Sequence, residues 1–450
     1  MSPALRATGR IWLNRIGAGL ALLPLSREER GPAYRLPYPL FDLPIREARH
    51  GVGSVVPHPW NPWRNPLTAP TWEGAIALLT ALGALAQLRA LRRYRRIPSL
   101  APFCGPSADG PLVSIVVPAR NEEENLRVLL PSLVGLGYEP REVIVVDDDS
   151  TDGTARVAEV HGARVVSTAG DPPAGWTGKT WSMERGFREA RGEWLLFVDA
   201  DVWLGRGCLG AAMAAVHEAR LDALSLFPDQ RCVEHAERLL LPFAFAGYFS
   251  GVGRDLNTGP DNALLNGQFL LVRRSAYEAI GGHRQVSGSV VEDVALGKVL
   301  LRAGYRVGIY RAGGLAGVRM YRSAAGLLEG FGKNAFGMVR LLPARGTRII
   351  LWTTLASTSS TGMAVGLLGG VRAARRGEAA RVLAALLPAG ASYGLTVAAQ
   401  AGWSREFGVP RAYAALQPLS ALGFIAIALR SAVSTFGGPK VSWKGRTYRS

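Results

Sequence analysis

Apolar and polar positions along the chain follow two rhythms. Between residues 111 and 320 the apolar runs are short and β-branched, and each gives way to a polar turn and then a helical pattern. The runs are "PLVSIVVPARNEEEN", "REVIVVDDDSTDGTARVAEV", "GARVVSTAG" and "EWLLFVDAD". Such spacing predicts strands that lead into helices. Strands alternating with helices imply an α/β domain built on a parallel sheet covered on both faces. Ligands of such sheets bind beyond the carboxyl ends of the strands, which is where the polar clusters fall.

Elsewhere the apolar runs are longer. "TWEGAIALLTALGALAQLRALRRYRR" carries an apolar stretch of about 17 residues that ends in Arg89, Arg92, Arg93, Arg95 and Arg96, with Trp72 at its other edge. It reads as a transmembrane helix whose C-terminal end faces the cytoplasm. The alternative, a buried helix of a soluble core, sits poorly with five arginines. Near the C-terminus, Ile349 to Val371, Val382 to Trp403 and Tyr413 to Val433 are each about 20 residues long, enough to cross a bilayer. If all three cross, Arg372, Arg375, Arg376 and Arg381 lie outside, as do Lys440, Lys444, Arg446 and Arg449. Both placements break the positive-inside rule. A re-entrant or interfacial Ile349–Val371 would bring both basic segments inside, and is the version favoured here.

This pattern divides the chain into six parts. Residues 1–70 are a Pro-rich extension with a short apolar run, Ile16 to Leu25, after Arg6, Arg10 and Arg15. Residues 71–96 form the first membrane helix, and 111–320 the α/β domain. Residues 321–347 are basic and amphipathic, suited to an interfacial helix. Residues 348–434 hold two or three transmembrane or re-entrant helices, and 435–450 are a basic tail.

Charge narrows the possible partners. Lys and Arg number 52 against 35 Asp and Glu, a formal net charge of +17. Nucleic acid, an anionic membrane or a phosphorylated substrate would each suit that excess. A mean hydropathy of +0.11, with arginines flanking the apolar stretches, favours the membrane and argues against nucleic acid. Cys104, Cys208 and Cys232 are too few and scattered for a disulfide framework or metal cage. The six histidines form no HExxH cluster.

The candidate chemistry is carboxylate chemistry. Asp199 and Asp201 stand on alternate residues where an apolar strand ends. Two such carboxylates repel unless a divalent cation sits between them and an anion, an arrangement that suits Mg²⁺ or Mn²⁺ completed by substrate phosphates. Taken alone, the pair fits a capped turn equally well. Asp147, Asp148 and Asp149 crowd another strand end, beyond what a turn needs, with Ser150 or Asp152 as the N-cap of the following helix. One of the three acids is suited to accept a hydrogen bond from a base ring N–H. Lys179 lies between these acidic ends and can meet phosphate as a point charge. Glu292 and Asp293 precede a helix, whose N-terminus favours acids.

These segments together resemble the family 2 glycosyltransferases. The matching stretches, in order, are "VSIVVPARNEEENL", "VIVVDDDSTDGT", "GWTGKTW", "LFVDADV", "GQFLLVRRSAYEAIGGH" and "VEDVAL". "AIGGH", "RMYRSAAGLLEGFGKN" and "VSWKGRTY" look like the subset that glycosylates hydrophobic lipids. The resemblance implies a Rossmann-like nucleotide-diphosphosugar transferase domain (the GT-A fold), with transmembrane helices before and after it. It implies a UDP- or GDP-sugar donor, Mg²⁺ or Mn²⁺ as cofactor, a lipid acceptor such as a carotenoid or hopanoid, and inversion at the anomeric carbon. The enzyme would sit in the plasma membrane with its catalytic domain in the cytoplasm. By the same resemblance, Asp148 would bind the base, Asp199 would meet the ribose or the metal, and Asp201 would ligate the metal. Asp293 would be the general base. Glu122, Lys179 and Arg322 would serve the donor, and Gly267, Gln268 and Glu292 would lie on the acceptor side. Processive polysaccharide synthases of the family carry Q-x-x-R-W after the base. Here "RMYRS" puts Arg319 for the Gln and Ser323 for the Trp, which implies transfer of a single sugar. Glu184 replaces an Asn common in relatives and is left out of the site. A processive synthase and a non-catalytic nucleotide-sugar-binding scaffold are the alternatives.

Overall fold

The computed structural model describes residues 72–103, 110–168, 170–253, 255–331, 343–436, 441–443 and 446–448. The extension at 1–70, Cys104, residues 332–342 of the amphipathic segment and most of the basic tail lie outside the described residues.

The α/β domain is built on a seven-stranded sheet. Its strands are β1 (Val113–Ala119), β2 (Arg141–Asp147), β3 (Arg164–Ser167), β4 (Trp194–Val198), β6 (Ala223–Phe227), β8 (Phe269–Arg273) and β9 (Val307–Arg311). They lie in the order β3-β2-β1-β4-β8-β6-β9. The first four are parallel, as their helical crossovers require. The expectation of a wholly parallel sheet fails at β8, which runs antiparallel to both β4 and β6. β8 enters the sheet from the opposite end, after helix α6 (His235–Gly251) and a long loop. Nothing in the apolar run "FLLV" encodes that direction. A small sheet of β5 (Val202–Leu204), β10 (Ala316–Val318) and β7 (Asp229–Gln230) covers one end.

Helices α2 (Glu123–Val134), α3 (Thr154–Val160), α4 (Gly178–Glu189), α5 (Cys208–Ala219), α7 (Arg274–Ala279) and α8 (Glu292–Arg302) complete the domain. Because β1 and β4 are covered on both faces, their runs are almost wholly buried and read as continuous apolar stretches, and β2 is buried over its second half. Gly186 lets α4 lie directly on the sheet, since a Cβ there would fall 2.3 Å from Val116 Cγ1.

Outside the domain are α1 (Trp72–Arg96), α9 (Pro343–Arg375), α10 (Ala379–Glu406) and α11 (Gln417–Phe436). Residues 343–375 are one uninterrupted helix and contain no re-entrant turn. Helix directions follow from which residues meet. Gln87 pairs with Gln400 and Arg95 with Glu406, so α1 and α10 run parallel. Thr80 meets Thr358, and Gly362 abuts Ile76, so α9 runs antiparallel to α1. Gly366 and Gly370 abut Ala389 and Leu386, so α9 and α10 are also antiparallel. Small residues at these contacts let the backbones approach closely. Among the described residues two helices, Ala75–Arg96 and Ala379–Glu406, are long and apolar enough to cross a membrane.

Candidate active site

The strand ends become a site because loops and helix starts aim their side chains at one another. At the end of β2, Asp147 and Asp152 do turn chemistry. Asp147 Oδ1 accepts from the Ser150 amide at 3.2 Å, and Asp152 Oδ1 from the Thr154 amide at 3.0 Å. The N-cap of α3 is Gly153, not Ser150 or Asp152. Asp148 is the most deeply buried of the three successive acids. It is buried, accepts from Thr168 Oγ1 at 3.0 Å, and has its carbonyl held by Arg120 at 2.5 Å.

Lys179 stands in the first turn of α4. That turn is anchored by a capping box between Thr177 and Thr180, and the Ser287 carbonyl accepts from the Thr177 amide at 2.9 Å and Thr180 Oγ1 at 2.6 Å. The anchored turn presents the Lys179 ammonium to Asp199 at 2.8 Å and Glu292 at 2.7 Å. Burial alone would lower the proton affinity of this ammonium, but Asp199 and Glu292 outweigh it and hold the pKa raised. Burial raises the Asp199 carboxyl, while Lys179 pulls in the opposite direction.

Glu292 and Asp293 form the first turn of α8. Asp293 Oδ2 accepts from the Gly267 amide at 2.9 Å and Oδ1 from the Val294 amide at 2.7 Å. Burial first, and then the charge of Glu292, push the Asp293 pKa up to about 6. The loop carrying Gly267 is pinned from β6, where buried Ser225 Oγ donates to the Asn266 carbonyl at 2.9 Å and accepts its amide at 2.8 Å.

A cavity of about 820 Å³ collects these groups; it is lined by Glu122, Lys179, Asp199, Asp201, Gly267, Gln268, Glu292, Asp293 and Arg322. A smaller one of about 100 Å³ shares Glu122, Lys179, Asp199 and Asp201 with it and is floored by Asp148. All ten residues singled out in the sequence therefore line one cleft or its annex. Arg322 is held at the rim, 3.2 Å from Glu124 and 2.8 Å from Asn125 Oδ1. Glu184 is buried and paired with Arg188 and Arg284, a structural role consistent with leaving it out.

Several cavity-lining residues went unnoticed in the sequence, among them Asn125, Asn266, Met320, Tyr321 and Glu329. Asn266 stood next to the "GQ" already singled out, so adjacency was its one signal. The "AIGGH" stretch proves to be scaffold. Gly281 and Gly282 take φ of 78° and 57°, which turns the chain so that His283 Nδ1 meets the Tyr277 hydroxyl at 2.7 Å. Burial lowers the His283 pKa to about 4, leaving a neutral ring beneath the site.

Asp199 and Asp201 offer hard oxygen donors on one wall, the type that Mg²⁺ and Mn²⁺ take. Among the described residues no cluster of three or more His, Cys, Asp or Glu forms a ready-made cage. The set fits a cation that shares its coordination with a substrate diphosphate.

Comparison with known proteins gives the family of the chain. The family model described as "Glycosyl transferase family 2" matches residues 114–281. A 4,4'-diaponeurosporenoate glycosyltransferase of Staphylococcus aureus (strain USA300) is 31% identical over 264 residues, 57% of this chain and 69% of that protein. The chain belongs to glycosyltransferase family 2. Among solved structures, a mannosyltransferase from Pyrobaculum calidifontis in complex with GDP-Man and Mn²⁺ is 21% identical. It covers 80% of this chain and 99% of its own, with a TM-score of 0.48. Glucosyl-3-phosphoglycerate synthase from Mycobacterium tuberculosis, in complex with Mn²⁺, UDP and glucosyl-3-phosphoglycerate, is 19% identical. It covers 52% of this chain and 81% of its own, with a TM-score of 0.36. This family 2 chain is thus a nucleotide-sugar glycosyltransferase with a mixed α/β sheet.

Proposed function

We propose that this enzyme transfers one sugar from a nucleotide-diphosphate sugar to a hydrophobic lipid acceptor at a membrane. The observation that carries this reading is the convergence of Asp199, Asp201, Lys179 and Asp293 on one cavity, in a chain that also carries two membrane-length apolar helices. The Staphylococcus aureus relative, a diaponeurosporenoate glycosyltransferase by name, supports an acceptor of carotenoid or similar type.

Asp148 meets the base in the annex, and Lys179 faces the diphosphate across the cavity mouth. Asp199 and Asp201 would hold Mg²⁺ or Mn²⁺, which when bound supplies electrostatic stabilisation of the departing diphosphate. Asp293 takes the proton of the acceptor hydroxyl or carboxyl. The acceptor oxygen bonds to the anomeric carbon as the bond to the diphosphate breaks, and the electron pair leaves with the nucleoside diphosphate. A carboxylate whose pKa lies near 6 is still ionised at neutral pH, yet is a stronger base than an ordinary Asp. Its two amide donors fix its direction.

In the membrane, α1 and α10 would cross with their C-terminal ends toward the domain, where Arg311 of β9 lies 3.6 Å from Glu406. Helix α9 would return the chain between them. Leu419, Leu422 and Leu429 project from α11 as an exposed apolar stripe suited to the interface.

The test is transfer of radiolabelled sugar from UDP- and GDP-sugars to extracted membrane lipids, with lipid mass spectrometry of a deletion strain to name the acceptor. A polymeric product would point instead to a processive synthase. Nucleotide binding without any product would point to a scaffold. A one-sided reporter fused at Ser450 reads the topology.

A further inference from the structure

The donor-side carboxylate and the base lie on different elements, yet one chain of contacts joins them. Lys179 Nζ is 2.8 Å and 3.0 Å from the two oxygens of Asp199, and 2.7 Å from Glu292 Oε1. The Glu292 side chain is only 8% exposed and immediately precedes Asp293 in the first turn of α8. A methyl group at Gly267 would fall 3.3 Å from Asp293 Cβ, 3.4 Å from Lys179 Nζ and 3.5 Å from Glu292 Oε1. Glu292, Lys179 and Asp293 therefore pack around one backbone point, and Asp199 is tied to it through the ammonium.

We propose that Glu292 is a positioning residue: by holding Lys179 between itself and Asp199, it couples occupation of the donor side to the base Asp293. This rests on the glycosyltransferase reading above. One ammonium here is shared by two carboxylates, more than its own charge requires. If Asp199 were its sole partner, Lys179 and Asp199 would form a closed ion pair that an incoming diphosphate must break. Glu292 keeps the ammonium in place while Asp199 changes partners. The coupling also runs toward the base. When the diphosphate takes a share of the ammonium that Glu292 still holds, the charge of Glu292 is less neutralised and acts more strongly on its neighbour Asp293. The groups facing Asp293 are Glu292 of its own helix, Lys179 of α4, the Gly267 amide before β8, and Tyr248 of α6, which Arg345 of α9 backs by a hydrogen bond.

The test uses the full-length protein in detergent, with UDP and then GDP as probes in the presence of Mn²⁺, and binding read by calorimetry. Glu292→Gln should bind the nucleoside diphosphate about tenfold more weakly, though Glu292 does not belong to the donor wall. Because Glu292 acts through Lys179, the double variant Lys179→Met with Glu292→Gln should bind no more weakly than Lys179→Met alone. Wild-type affinity in Glu292→Gln, or losses that simply add in the double variant, would overturn the coupling. A second reading is the acid limb of the pH profile for sugar transfer. With the neighbouring charge gone, it should move down by about one pH unit in Glu292→Gln. A merely loosened fold would lower activity without moving that limb, so an unmoved limb also overturns the link to Asp293. If the wild-type protein bound neither UDP nor GDP, the donor reading itself would fail, a result distinct from a normal-binding Glu292→Gln.

Discussion

Where Lys179, Asp199, Glu292 and Asp293 meet, two carboxylates share one ammonium and a third stands beside them at the edge of a cavity. Where α1, α9 and α10 meet, buried polar groups close on one another. Gln87 donates to Gln400, Thr80 meets Thr358 at 3.2 Å, and Trp403 Nε1 donates to the Gln87 carbonyl at 3.3 Å. Both regions bury polar atoms at a desolvation cost. The helices recover that cost at once, in neutral pairs that tie one helix to the next. The cleft recovers it only in part and keeps an excess of negative charge. A polar pair that is neutral and closed serves as scaffold; a charged group facing a cavity is kept for something that binds.

The sharpest way to break this contrast is to neutralise the cleft. Asp293→Asn should lower sugar transfer by about 10²–10⁴-fold, with thermal unfolding unchanged or shifted upward, because it removes a costly buried charge. A variant that still transferred sugar at the native rate would mean that the cleft is scaffold too.

Gly267→Ala is expected to come next. Its methyl would press on Asp293 Cβ at 3.3 Å and touch Lys179 and Glu292 at ordinary contact distance, so the base should shift by a few tenths of an ångström and the rate fall by up to about tenfold. Steady-state kinetics should show the loss mainly in kcat.

Acidity sharpens the contrast in another way. Activity should fall roughly tenfold per unit as pH drops below about 6, where Asp293 takes up its proton. The sign for stability is opposite. A carboxyl whose pKa is raised in the folded state binds the proton more tightly than the unfolded chain does. Its contribution to stability therefore grows as pH falls from about 6 toward 4. Parallel pH series of turnover and of denaturant midpoints would check both slopes.

The smallest kinetic effect belongs to the bundle. Gln400→Leu leaves the buried Gln87 amide without its partner and should cost about 1–3 kcal/mol of stability. Below the melting temperature kcat should stay as in the native protein. A large fall in kcat would show that the bundle is coupled to the chemistry.

Two acidic stations of the cleft were legible because each closes an apolar strand run, as Asp147 and Asp148 come after "VIVV" and Asp199 follows "WLLFV". That pattern is local: a buried strand needs a continuous apolar run, and charge can begin only where the sheet's cover stops. Helices α1 and α10 were legible for a similar reason, since length and apolarity are properties of a segment by itself. The reversed direction of β8 was not, because the same "FLLV" pairs equally well either way, and the route taken by α6 and the loop after it decides. Nor was the continuous α9, which the placement of the basic residues made re-entrant or interfacial, and in which Gly362 and Gly366 admit Ile76 and Ala389.

By itself the sequence determined which residues carry charge at the ends of strands, since that depends on neighbours along the chain. Only the tertiary structure decided that Lys179, Asp199 and Glu292 share one ion cluster beside Asp293, around the absent side chain of Gly267. Those contacts join residues far apart in the chain, and they form only once the sheet has closed and brought the loops to one edge.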